Sequence, residues 1–162
     1  MDYTEILINL RRIIRAVNLE GKRIEKKYGL SIPQLLCLHF LKDQEDFRAT
    51  HSAIKDYLQL NASTVTGIVD RLEKRGLVAR LPVHPQDRRI NYIVLTKGGQ
   101  DLIAVIPELL HDQLCTRLNK AEDKKIQELR DAFRVIIGFL EIENMDAAPI
   151  LTVDELTKKS DS

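Results

Sequence analysis

The stretch Ala62-Ser63-Thr64-Val65-Thr66-Gly67-Ile68-Val69-Asp70-Arg71-Leu72-Glu73-Lys74-Arg75-Gly76 organises the rest of the chain. Val65, Ile68, Val69 and Leu72 recur at i, i+3, i+4 and i+7, one face of a helix running from about Ala62 to Lys74. Gly76 sits where a left-handed residue ends a helix. The opposite face carries Ser63, Thr64, Thr66, Gly67, Asp70 and Arg71. Small hydroxyl residues near a helix N-terminus let a backbone come close to a phosphate, and their oxygens can bond phosphates or base edges. An arginine one or two turns on has the fork geometry for guanine or phosphate. A merely solvated helix face has the same composition, so this face needs the elements around it.

Immediately before it, Ala53, Ile54, Tyr57 and Leu58 mark a short helix, capped by Thr50 or Ser52 and broken at Leu60-Asn61-Ala62. Two short helices separated by a tight break, the second half-polar, describe a helix-turn-helix. After it come two β-rich runs, Leu77–Val83 and Ile90–Leu95, joined by His84-Pro85-Gln86-Asp87-Arg88-Arg89 as a hairpin loop. Two arginines at a hairpin tip cost charge repulsion for no packing gain. Behind a helix-turn-helix they are placed as a wing, able to reach a minor groove or flanking phosphates. Asp87 is a poor DNA contact and is better used to pair with an arginine and shape the wing.

Further out, Ile6, Leu10, Ile13, Ile14 and Val17 mark a first helix over residues 4–27, stopped at Gly29. Ser31 and Gln34 have capping-box spacing for a second helix, with Pro33 in its first turn. Asp43–Phe47 reads as a polar loop. Thr96 is placed to cap a long helix reaching about Leu118, kinked by Pro107. Asn119 and Glu122 have capping-box spacing for a last helix with Ile126, Leu129, Phe133, Ile136, Ile137 and Leu140. Residues 144–162 lack this periodicity, and Thr152-Val153-Asp154-Glu155 is placed to start at most one short turn. The fold class is therefore mainly α with a small β-hairpin wing: four helices, strand, wing, strand, then two long helices.

The net charge of the 162 residues is only +1, but it is unevenly placed. Residues 61–97 hold seven basic and three acidic groups, net +4, while residues 121–162 hold six basic and ten acidic groups, net −4. A near-zero sum hides a local field that attracts phosphate. No apolar run approaches membrane-spanning length and the amphipathic N-terminus is not a signal peptide, so the expected location is the cytoplasm. Cys37 and Cys115 both lie in apolar stretches and are expected to be buried free thiols. His39, His51, His84 and His111 form no metal-ligand spacing, with His39 read as a satisfied core residue and His84 as a minor phosphate-contact candidate. There is no glycine-rich phosphate loop and no nucleophile elbow, so no enzyme, metal or cofactor is expected.

Ser63 to Val78 resembles the recognition-helix block of MarR-type regulators. Asp87-Arg88-Arg89-Ile90-Asn91-Tyr92-Ile93-Val94-Leu95-Thr96 is similar to that family's Asp-x-Arg wing ending in Leu-Thr, and Lys97-Gly98-Gly99 to its next helix start. Leu30-Ser31-Ile32-Pro33-Gln34 fits its Leu-Thr-x-x-Gln block with serine for threonine. The resemblance covers about residues 5–142 and is most specific over 53–99. It implies a homodimer on a pseudo-palindromic operator, usually a repressor, released by a small-molecule effector. It divides the chain into a winged lobe at 30–99, dimerisation helices at 1–29 and 100–143, and a C-terminal tail at 144–162. Wide apolar stripes on the first and last two helices, too wide for a small winged lobe to cover, agree with a dimer. Some members sense oxidants through an N-terminal cysteine; Cys37 has no activating neighbour in sequence. The site residues expected to meet double-stranded DNA are Ser63, Thr64, Thr66, Gly67, Arg71, Arg88 and Arg89. The competing reading is a winged-helix module that binds protein without DNA.

Overall fold

A computed structural model of the chain describes residues 2–82 and 91–145. Its elements are α1 (Thr4–Tyr28), α2 (Ile32–Lys42), a single 3-10 turn (Glu45–Phe47), β1 (Arg48–Thr50), α3 (His51–Leu58), α4 (Ala62–Lys74), β2 (Val78–Arg80), β3 (Tyr92–Leu95), α5 (Lys97–Val105), α6 (Leu110–Leu118) and α7 (Asp123–Leu140).

Helix boundaries follow local chemistry. Gly29 at φ +65° ends α1, its N–H donating to Glu25 O at 2.8 Å. The capping box opens α2: Gln34 N donates to Ser31 Oγ at 3.4 Å, and Ser31 N donates to Gln34 Oε1 at 2.9 Å. Thr50, not Ser52, caps α3 by accepting from Ala53 N at 3.1 Å. Thr96 caps α5, accepting from Gly99 N at 3.1 Å.

Several elements differ from the expectation read in the sequence. The long helix after Thr96 is not kinked but broken. Pro107 disfavours the helical conformation at the residue before it, and Ile106 is extended (φ −85°, ψ 130°), so α5 ends at Val105 and α6 begins at Leu110. Asn119 does not open the last helix. It is the C-terminal cap of α6, and α7 starts after Glu122, which makes no side-chain cap bond. The segment after Asp43–Phe47 holds a strand the sequence did not announce. β1 pairs antiparallel with β3 in the register Arg48↔Val94, Ala49↔Ile93, Thr50↔Tyr92, giving the sheet order β1-β3-β2. On the other side β2 pairs with β3 as Val78↔Leu95, Ala79↔Val94 and Arg80↔Ile93. Strand β2 is thus shorter than the run Leu77–Val83, although Leu81 N still donates to Tyr92 O at 2.9 Å.

The chain divides into two compact units, Gly21–Ile106 and Met1–Glu20 with Pro107–Asp146. The first has a continuous apolar core. Leu30, Leu35, Cys37, Leu38, Leu41, Ile54, Val65, Ile68, Val69 and Leu72 are fully buried. Burial pushes the Cys37 thiol up to about 12, so at neutral pH it carries no thiolate and packs as a small apolar side chain. Cys115 is a correction. It is exposed on α6, its sulfur 3.6 Å from His111 Nε2. His39 is half-buried on α2 and engaged.

The second unit looks different by itself. Ile6, Ile13 and Ile14 of α1 and Leu114, Phe133 and Phe139 of α6 and α7 are each more than half exposed. Inside it, the buried Glu20 carboxylate accepts from Leu110 N at 2.8 Å, supplying the N-terminal cap that Leu109 lacks. Among the described residues no helix is long and apolar enough to cross a membrane.

Candidate nucleic-acid interface

Helix α4 buries Val65, Ile68, Val69 and Leu72 completely, which fixes its rotation and turns Ser63, Thr66 and Arg71 to the other side. Turn residues Gln59 (φ 53°), Leu60 and Asn61 separate it from α3. Asn61 is its N-cap: its Oδ1 accepts from Thr64 N and from the Ser63 hydroxyl, both at 2.8 Å. Asparagine ahead of a helix is a standard cap signal, and in sequence it read only as a break. With its proton committed to Asn61, the exposed Ser63 hydroxyl presents lone pairs outward.

Thr66 donates to Ala62 O at 2.9 Å, and its Oγ1 lies 3.1 Å from His51 Nε2 at the start of α3. With the Thr66 proton given to Ala62 O, the imidazole in its Nε2–H tautomer donates to the Thr66 hydroxyl oxygen. Gly67 is half-buried, and a Cβ built on it would meet nothing within 4 Å. The helix thus keeps a bare stretch of backbone next to its hydroxyl groups. Thr64 and Arg71 are half-buried on the same helix. Asp87, Arg88, Arg89 and His84 lie outside the described residues.

Two arginines that sequence reasoning had only counted as charge are structural. Arg80, at the end of β2, donates through Nη2 to Asp70 Oδ1 at 2.5 Å and through Nη1 to Glu73 Oε2, and its backbone N donates to Glu73 Oε1 at 3.1 Å. The bond to Asp70, with Glu73 beside it, pushes the Arg80 guanidinium still further above its ordinary value. The root of the wing is thereby tied to the recognition helix, and Asp70 faces a cation instead of projecting an unmatched charge. Arg75, the C-cap of α4, donates to Gly29 O at 2.6 Å and to Tyr28 O at 3.0 Å. Only folding could reveal these pairings. The Arg75 contacts span more than forty residues, and the Arg80 contacts join a helix to a strand. Among the described residues no group of three or more potential metal ligands comes together.

A helix-turn-helix whose second helix leads directly into a small antiparallel sheet is a winged helix-turn-helix, an architecture used to present one helix to DNA. The MarR family's profile matches residues 30–90. The HTH-type transcriptional regulator YsmB of Bacillus subtilis is 29% identical over 118 residues, 73% of this chain and 79% of that protein. The HTH-type transcriptional repressor IacR of Pseudomonas putida is 27% identical over 120 residues, 74% of this chain and 70% of that protein. In fold the chain is similar to Sco3205, a MarR family transcriptional regulator of Streptomyces coelicolor solved in complex with DNA. The TM-score is 0.60 at 20% identity, covering 94% of this chain and 96% of that one. The chain belongs to the MarR family and is a transcriptional regulator, not an enzyme.

Proposed function

We propose that this regulator binds double-stranded DNA as a homodimer, places α4 in successive major grooves of a pseudo-palindromic operator, and represses transcription in the cytoplasm until a small-molecule effector releases it. One observation carries the DNA-binding part. The outward face of α4 combines the Ser63 and Thr66 hydroxyls, bare backbone at Gly67 and Arg71, opposite a fully buried stripe that holds the helix rigid. Ser63, Thr64, Thr66, Gly67 and Arg71 contact the groove and its phosphates, and Arg88 and Arg89 reach from the wing, with Asp87 shaping it. The half-exposed apolar residues of the unit formed by Met1–Glu20 and Pro107–Asp146 support the dimer. Repression is supported by the relative IacR, and effector release by the family resemblance. Two recognition helices about one turn of DNA apart give half-sites ~10 bp centre to centre.

The test is selection of bound genomic fragments by the purified protein at near-physiological salt, beside a variant carrying Arg88→Ala and Arg89→Ala. The expected result is a pseudo-palindromic motif that the variant loses, with affinity falling steeply as salt rises because phosphate contacts release counterions. Random fragments retained equally by both proteins would overturn the reading in favour of a protein-binding winged helix.

Gly67→Ala separates folding from recognition. In the free protein the added methyl meets open space, and alanine is better than glycine inside a helix by about 0.5–1 kcal/mol. The variant is expected to melt slightly higher while binding the operator several-fold more weakly. A variant that is more stable and binds as well as before would remove Gly67 from the interface.

A further inference from the structure

We infer that Arg75 and Tyr28 are positioning residues that set which operator spacing the protein accepts, without touching DNA themselves. The inference rests on the DNA-binding dimer proposed above. It starts from three helix C-termini that meet inside the unit Gly21–Ile106. Arg75 closes α4, and its guanidinium holds Tyr28 O, the last carbonyl of α1, and Gly29 O just beyond it. Tyr28 in turn donates its hydroxyl to Val105 O, the final carbonyl of α5, at 3.2 Å.

Each contact answers a local need. The last carbonyls of a helix have no partner within it, and a cation there also meets the negative end of the helix dipole. The planar fork of arginine spans two adjacent carbonyls, which a lysine ammonium cannot do in the same way. Gly29 supplies the left-handed turn that presents these carbonyls, at φ +65°; a Cβ there would still lie at an ordinary contact distance, 3.6 Å from Arg75 Nη1. Beyond Val105 the chain turns extended ahead of Pro107, so α5 cannot continue and the Tyr28 hydroxyl takes the place of a helical donor. Lys27 Nζ sits 5.3 Å from the centre of the Tyr28 ring, a weak cation–π contact at the surface.

The chain leaves this unit at two places, through α1 before Gly21 and after Ile106. Tyr28 and Val105 lie close to those exits in sequence, and their hydrogen bond pins the two paths together. Arg75 adds the end of the recognition helix to the same knot. A dimer distinguishes half-site spacings only if each recognition helix is held firmly against the segments that lead to its partner. With the knot loosened, each helix can follow a displaced half-site.

The test uses the full chain and operators built from its selected half-sites, with the spacer lengthened or shortened by one and two base pairs. The variants are Arg75→Ala, Arg75→Lys and Tyr28→Phe, with thermal melting to confirm that each is folded. The unaltered protein is expected to favour one spacer by about tenfold over its neighbours, and Arg75→Ala and Tyr28→Phe to narrow this to about threefold or less. Arg75→Lys, keeping the charge but not the fork, is expected to narrow it as Arg75→Ala does. The slope of log affinity against log salt is expected to stay unchanged in all three. Spacer preference unchanged in Arg75→Ala and Tyr28→Phe, with only the melting temperature lowered, would overturn the inference. A salt slope smaller by about one in Arg75→Ala would also overturn it, by making Arg75 a phosphate contact. If the unaltered protein selects no DNA at all, the functional reading fails first and this inference with it, a result distinct from a lost variant effect.

Discussion

Gly99→Ala is expected to lower the melting temperature by roughly 5–10 °C, about 3 kcal/mol of stability, although it replaces glycine by the best helix former. Two effects oppose each other. Alanine in the first turn of α5 gains up to about 1 kcal/mol in helix propensity. Against this, a Cβ at residue 99 would lie 2.3 Å from Leu77 O and 2.6 Å from Leu95 Cδ1, with the Leu77 carbonyl carbon at 3.2 Å. The side chain of Leu95 can turn aside; the Leu77 carbonyl cannot. It accepts from Thr96 N at 3.1 Å, while Thr96 Oγ1 donates to Gly76 O at 2.6 Å and caps α5. The clash therefore falls on backbone pinned from both sides, and it wins. Since the same backbone joins α4 to β2, operator affinity is expected to fall with stability.

Gly98→Ala is the internal control for that experiment. Its nearest contact would be Gly76 O at 3.4 Å, an ordinary distance, so the melting temperature should change little. Equal effects at the two adjacent glycines would show that helix propensity, not the approach to Leu77, governs this turn.

Phe133→Asp is expected to turn the proposed dimer into monomers and to weaken operator binding by about 10²–10⁴-fold, through loss of the linked second half-site. Phe133 is 54% exposed on α7, and Ile13 is 54% exposed on α1. If these residues faced water in solution, a carboxylate there would cost no more than the small difference in helix propensity, well under about 1 kcal/mol. In a two-fold interface the change enters twice. Each copy gives up about 1.5–3 kcal/mol of apolar burial and places a charge where it must be desolvated or drive the subunits apart. Ile13→Asp should act the same way. Sedimentation velocity at micromolar concentration gives the answer: a shift to the monomer with helicity retained is the expected result. Dimers that survive both substitutions would place the interface elsewhere.

Much of this protein is written locally in its sequence. The stripe Val65, Ile68, Val69 and Leu72 sets both the extent of α4 and which side it turns outward, because a helix with one apolar face has a single way to bury it. The Ser31–Gln34 box, the Thr96 cap and the left-handed glycines at 29 and 76 mark helix ends through contacts no more than a few residues apart. From these the class of fold and the outward side of α4 could be read directly.

What the sequence left open depended on residues far apart in the chain. Arg48–Thr50 has no strand-like composition and becomes β1 only because β3 offers a free edge; Ala49 is then buried opposite Ile93 and Arg48 lies over the Tyr92 ring. Pro107 announced a disturbance, but an extended Ile106 and a second helix opened by the Glu20 carboxylate from α1 made it a break rather than a kink. Arg75 and Arg80 were indistinguishable in sequence from basic residues waiting for phosphate. Folding gave one to the carbonyls at the end of α1 and the other to Asp70 and Glu73. Short-range caps and apolar spacing are fixed by rotations within a turn or two. The partner of an arginine or of a strand edge is settled only when the core brings distant segments to within a few ångströms, and no periodicity records that distance.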